Sequence, residues 1–158
     1  MLALLRVDNR LIHGQVVQAW LPALKVERVV VADDEAAASP LSRAAMGLAL
    51  GDEAELRCVP LAQLDVRGLA ADKVRTLLLV RDVAGAVAAH ALGLSSGTVN
   101  VGNVHAAPGR DAVTPSVFLS SGELAQLKML SDAGLQVEVR AVPSERALGL
   151  EELSKRRG

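Results

Sequence analysis

Residues 74–80 read Val-Arg-Thr-Leu-Leu-Leu-Val, and the apolar run Leu77-Leu78-Leu79-Val80 leads straight into Arg81-Asp82. A strand with one wet face alternates apolar and polar residues, whereas an unbroken apolar run of strand length suits a strand covered on both faces. The run therefore predicts a central strand in a mainly parallel sheet with helices above and below it. Asp82 suits the N-cap of a helix that runs to about Leu92 and stops at Gly93.

The same alternation extends in both directions. Towards the N-terminus, Leu2 to Val7 reads as a strand, Gln15 to about Trp20 as a helix halted near Pro22, and Arg28 to Ala32 as a buried strand. Ser39-Pro40 opens a helix to about Leu50, Glu55 to Val59 is a further strand, and a short helix fits Pro60 to about Ala70. Towards the C-terminus, Thr98 to Val101 and Ser116 to Leu119 read as strands. Ser120 and Glu123 have capping-box spacing before a helix that ends at Ala133, and Gln136 to Val142 reads as the last strand. Pro143-Ser144 opens a final helix carrying Leu148, Leu150 and Leu153, while Gly102 to Pro115 reads as a surface loop. The expected fold class is α/β: three layers, an open, mainly parallel sheet with helices on both faces, in a single domain over residues 1–158.

Composition narrows the function. Hydrophobic residues make up 51% of the chain, yet the only aromatic residues are Trp20 and Phe118, so the core must be built from Leu, Val and Ala. So few rings argue against base-stacking platforms, and a net charge of -1 gives no field for nucleic acid. No window is long and apolar enough to span a bilayer, and Met1 to Leu5 is too short for a signal peptide's apolar region, which points to a cytoplasmic protein. The single cysteine, Cys58, excludes an internal disulfide and reads as an inert thiol. Lys155-Arg156-Arg157 reads as a solvated tail.

Polar chemistry gathers where such a fold places its ligands, outside the carboxyl ends of the strands. The first strand-to-helix loop is Arg6-Val7-Asp8-Asn9-Arg10-Leu11-Ile12-His13-Gly14-Gln15. His13 stands just before a helix whose first amides are unpaired and favour an anion. Gly14 leaves the backbone open, and Arg10 offers a planar fork of donors to phosphate oxygens. Neutral imidazole is a nucleophile near pH 7, and Asp8 could orient the ring or position Arg10. The plainer alternatives are an ordinary capping histidine and surface pairs of Arg6 and Arg10 with Asp8. Asp33-Asp34 should lie near His13 across the sheet top, either as turn caps or in a gating role. Asn100, Gly102 and Asn103 either form a plain turn or donate to phosphate. His13, His90 and His105 lack metal-ligand spacing, and no metal is expected. There is no P-loop, dinucleotide fingerprint or serine elbow, and no cofactor is expected.

The run Arg6 to Gln15, extended to Trp20, resembles the active-site signature of the mannose/fructose/sorbose family of enzyme IIB components of the sugar phosphotransferase system (PTS). Weaker similarity continues through residues 29–46, Val99 to His105 and Leu135 to Pro143. The resemblance implies a phosphohistidine carrier, a phosphotransferase of the protein-N(pi)-phosphohistidine–sugar type. His13 would take a phosphoryl group from a separate IIA component and pass it to a sugar translocated by membrane IIC and IID components. It implies catalytic His13, Arg10 and Asp8, and phosphate-binding Arg10, Gly14, Gln15, Arg6, Asn100, Gly102 and Asn103. It favours the Nδ1 nitrogen, with the protein peripherally associated with the membrane transporter and Leu11 and Trp20 as candidate apolar anchors for IIA. A regulatory phosphorylatable module and a non-covalent anion- or phosphosugar-binding domain are the alternatives, and homo-oligomerisation stays open.

Overall fold

A computed structural model describes residues 1–157. Six strands form one parallel sheet in the order β3-β2-β4-β1-β5-β8: β1 (Leu2–Asp8), β2 (Arg28–Ala32), β3 (Glu55–Val59), β4 (Thr76–Val80), β5 (Thr98–Asn103) and β8 (Gln136–Val139). Strand β4 lies between β1 and β2, and Leu77 to Val80 are wholly buried, as their uninterrupted apolar character requires. Alternate residues feed two cores. Leu5, Val7, Leu78, Val80, Val99 and Val101 face α4 (Val66–Ala71), α5 (Val83–Ala91), α6 (Ser121–Asp132) and α7 (Leu150–Arg157). Leu4, Val29, Val31, Leu77 and Leu79 face α1 (Leu21–Leu24), α2 (Asp34–Ala38) and α3 (Pro40–Leu50). Each such buried aliphatic side chain contributes roughly 1.5–3 kcal/mol.

Strand β1 hands the chain towards β2 on one side, while β5 hands it towards β8 on the other. Their carboxyl ends therefore flank the switch point, where the two connections diverge and leave a crevice.

Four expectations are corrected. The stretch 102–115 is not a plain loop: β6 (Asp111–Thr114) and β7 (Val117–Leu119) form an antiparallel hairpin whose turn is tied by Thr114 Oγ1, which accepts from the Ser116 and Val117 amides. The last strand stops at Val139, because the Val139 and Leu148 backbones bond each other and 140–147 loops out between them. The final helix consequently starts at Leu150 rather than at Pro143, and Leu148 enters the core from a bridge instead of a helix. The basic tail is no solvated end: Arg156 donates to the Val113 carbonyl and Arg157 to the Leu119 carbonyl, docking α7 on the hairpin.

Candidate functional site

Leu2 to Val7 form a strand because apolar residues fill both faces, and the strand ends where Asp8 turns the chain. Leu11 closes that turn with its amide on the Asp8 carbonyl at 3.0 Å, and its backbone is left-handed (φ 56°). A leucine tolerates that conformation poorly, but burial of its side chain holds it there. The helix begins at Gly14, widens into a π turn over Val16–Trp20 and continues as α1. Such widened turns recur at functional sites. His13 is thus the residue just before the first turn, and its carbonyl accepts the Val17 amide at 3.1 Å.

Asp8 organises the site. Its Oδ2 accepts from Arg6 Nε at 3.1 Å and from Asn103 Nδ2 at 3.0 Å, and it lies 2.8 Å from His13 Nε2. Its Oδ1 accepts the Arg10 amide at 2.9 Å. Burial pushes the carboxyl upwards, but the His13 hydrogen bond, the Arg6 charge, Asn103 and the Arg10 amide together hold it below the ordinary carboxylate range. Ionised Asp8 can only accept, so the proton between it and His13 belongs on Nε2. The lone pair is then on Nδ1, which makes no hydrogen bond within the protein. His13 itself is 9% exposed.

The residues read as phosphate ligands divide into two groups. Arg10 is exposed, and Gly14 has open space where a side chain would stand. Arg6 is fully buried, and its donors go to Asp8, to Asn100 Oδ1 at 2.8 Å and to Gln15 Oε1 at 3.1 Å. Asn100, also fully buried, spends its Nδ2 on the Arg140 carbonyl. Gly102 gives room to the Arg6 guanidinium, which a Cβ there would strike. In this state Arg6, Asn100 and Gly102 face the protein interior and support Asp8 from below. The register explains Asn103: Val7 pairs with Val101 but Asp8 with Asn103, so Gly102 is the extra residue of a bulge. That bulge turns Asn103 to the side occupied by Asp8, where its Nδ2 also lies 3.2 Å from Gln15 Oε1.

Other expected residues have partners of their own. Asp33 caps α2 through the Ala36 amide and pairs with Arg81, while Asp34 accepts the Leu61 amide, so both serve as caps. His90 lies 2.6 Å from the Leu94 carbonyl in α5, and His105 is exposed beyond β5. Leu11 and Trp20, 5% and 1% exposed, are core residues and cannot anchor a partner in this state. Cys58 is half-buried in β3, and burial pushes its thiol up.

Sequence reading missed the support on the far side. Arg6, Asn100 and Glu138 occupy one register row across β1, β5 and β8. Glu138 pairs with Arg140 at 2.9 Å, and the Arg6 and Arg140 guanidiniums lie 5.0 and 5.4 Å from the Trp20 ring centroid. The signal was present: Arg6, Asn100 and Glu138 are polar residues at alternate positions in otherwise apolar strands. Arg6 with Asp8 and Arg140 with Glu138 form two ion pairs, the first wholly buried and the second partly exposed.

Comparison with known proteins follows the same line. The family model for the IIB component of the sorbose subfamily of the PTS system matches residues 2–158. The N-acetylgalactosamine-specific phosphotransferase enzyme IIB component 2 of Escherichia coli (strain K12) is 33% identical over 150 residues, covering 94% of this chain and 96% of that protein. The mannose-specific EIIAB component of the same organism is 27% identical over 155 residues, covering 96% of this chain and 48% of that protein. The IIBSor domain of the sorbose permease from Klebsiella pneumoniae superposes with a TM-score of 0.87 at 21% identity, covering 98% of this chain and 97% of that one, a likeness of fold.

Proposed function

The chain belongs to the sorbose subfamily of PTS IIB components, and from that premise we propose that His13 carries the phosphoryl group on Nδ1. Members of this family are phosphotransferases of sugar transport, so the open questions are the atom, the donor and the acceptor. The observation that carries the proposal is the 2.8 Å contact between Asp8 Oδ2 and His13 Nε2, which leaves Nδ1 as the free nucleophile.

In the proposed reaction the Nδ1 lone pair attacks phosphorus on a phosphohistidine of the IIA component. The donor P–N bond breaks, and its electron pair returns to the donor imidazole. His13 keeps its Nε2 proton, so the phosphorylated ring carries positive charge, which the Asp8 carboxylate stabilises. One P–N bond replaces another, so the step is close to balanced and the group stays transferable. In the second step a sugar hydroxyl, held by membrane IIC and IID components, attacks phosphorus; the P–Nδ1 bond breaks, its electron pair returns to the His13 ring, and the hydroxyl proton passes to a base on the membrane component or to solvent. Phosphoryl transfer needs mostly positioning and charge stabilisation. Here Arg10, the unpaired amides of Gly14 and Gln15, and the end of the Gln15 amide not engaged with Arg6 and Asn103 supply them.

His13 is largely covered and its Nδ1 is buried in this state, so the site has to open before a donor phosphohistidine reaches that nitrogen. The relatives carry different sugars in their names, N-acetylgalactosamine, mannose and sorbose. That fits a domain that handles the phosphoryl group while the sugar is chosen elsewhere. The mannose relative's EIIAB name supports IIA as the donor. Among the described residues no helix is long and apolar enough to cross a membrane.

Intact-protein mass after incubation with phosphoenolpyruvate, enzyme I, HPr and a mannose-family IIA tests the proposal. Wild type should gain one acid-labile phosphoryl group, and His13→Ala none. No gain from a IIA shown to be phosphorylated would favour a non-covalent anion-binding domain.

A further inference from the structure

Trp20 is among the largest fully buried side chains, and it sits at the end of the π turn of the helix that follows His13. Three contacts fix it. Its indole N–H donates to the Ala141 carbonyl at 2.8 Å, and the guanidiniums of Arg6 and Arg140 lie over its ring at 5.0 and 5.4 Å. The in-plane N–H groups of Arg6 reach Asp8, Asn100 and Gln15, but hydrogen bonds in that plane leave the flat faces of a guanidinium free. An aromatic ring is the surface that fits such a face in a dry interior. The Trp20 ring covers a face of the Arg6 guanidinium, its hydrogen-bond partners hold the edges, and Gly102 leaves room for it in that position. That position aims Nε at the same Asp8 oxygen that meets His13.

We propose that Trp20 is a positioning residue for phosphoryl transfer: through Arg6 and Asp8 it fixes the orientation of the His13 ring, and through Ala141 it ties the site to the 140–148 loop. The inference rests on His13 being the carrier, but its first readout does not. Without the ring, the Arg6 guanidinium keeps its in-plane partners but loses the surface on its face, so the Asp8 oxygen it shares with His13 is held less tightly and the Asp8–His13 hydrogen bond lengthens. Ionised Asp8 still keeps the proton on Nε2, and a plain core-filling role would leave that hydrogen bond unchanged.

The test compares wild type, Trp20→Leu, Trp20→Phe and Leu127→Ala, a core truncation on the opposite face of the sheet. The first readout is the proton chemical shift of His13 Nε2–H in unphosphorylated protein, which moves downfield as the hydrogen bond to Asp8 shortens. The second is the rate of phosphoryl uptake from phosphorylated IIA. Trp20→Leu should move that proton upfield and lower the rate by roughly 10- to 100-fold, the scale of a small misplacement of a reacting group. Trp20→Phe, which keeps an aromatic face, should restore the wild-type shift and most of the rate. Leu127→Ala should keep both. If Trp20→Leu does not fold, Trp20→Phe decides: a shift equal to that of wild type supports the aromatic face, and an upfield one overturns it. A wild-type shift in folded Trp20→Leu overturns the proposal outright. Wild type that shows the hydrogen-bonded Nε2 proton yet takes no phosphoryl group refutes the carrier reading and leaves the positioning role to be judged by the NMR arm.

Discussion

Asp8 meets four donors with two oxygens, and its chemistry decides what His13 can do. A carboxylate there accepts from Nε2–H, whereas an amide could also donate to that nitrogen and move the ring proton to Nδ1. Asp8→Asn should therefore lower phosphoryl uptake by about 10²–10⁴-fold, by analogy with the loss when the carboxylate partner of a catalytic histidine is amidated. It would also leave Arg6 buried without its counter-charge, at a cost of about 3–5 kcal/mol. Stopped-flow uptake and urea unfolding on the same preparation separate the two effects. Uptake within twofold of wild type would remove Asp8 from the mechanism. At this scale the sequence was informative: Asp8, Arg10, His13 and Gly14 interrupt an apolar run at a strand end, and polarity there has few structural causes. The inward direction of Arg6 was not legible, because a charged residue beside Asp8 looks the same whether it faces solvent or the sheet.

Among the elements, the bulge in β5 does most to shape the site. Gly102 is both the extra residue that turns Asn103 towards Asp8 and the gap that the Arg6 guanidinium fills. Gly102→Ala should cost roughly 1–3 kcal/mol, because Arg6 is held by three partners and cannot step aside. Gly14→Ala should stay within about 0.5 kcal/mol, since a methyl group there meets open space. Urea unfolding of the two variants side by side checks the contrast, and equal stabilities would contradict the assigned role of Gly102. The sequence shows that Asn100, Gly102 and Asn103 stand together but gives no register, and register is what separates a floor residue from a ligand. The central strands were legible because burial on both faces leaves only apolar residues. The 140–149 segment was misread because its backbone partner, Leu148, is chosen by tertiary pairing with Val139 rather than by local propensity.

For the whole molecule, the order β3-β2-β4-β1-β5-β8 places the carboxyl ends of β1 and β5 at the divergence of the two crossovers. His13 therefore stands above a sheet whose two faces are fully packed, with the Arg6–Asp8 and Arg140–Glu138 ion pairs beneath it and the unpaired amides of a helix beside it. The alternation of strands and helices made the layer architecture readable, but strand order depends on which crossover passes over which, and short segments carry no signature of that. On the proposed function, this arrangement delivers the phosphoryl group to one nitrogen of one histidine. The direct test is phosphorus and nitrogen NMR of the protein after phosphorylation by IIA, with the ring assigned. The expected result is a single phosphorylated imidazole, His13, with phosphorus on Nδ1 and the proton kept on Nε2. Phosphorus on Nε2, or on His90 or His105, would contradict it.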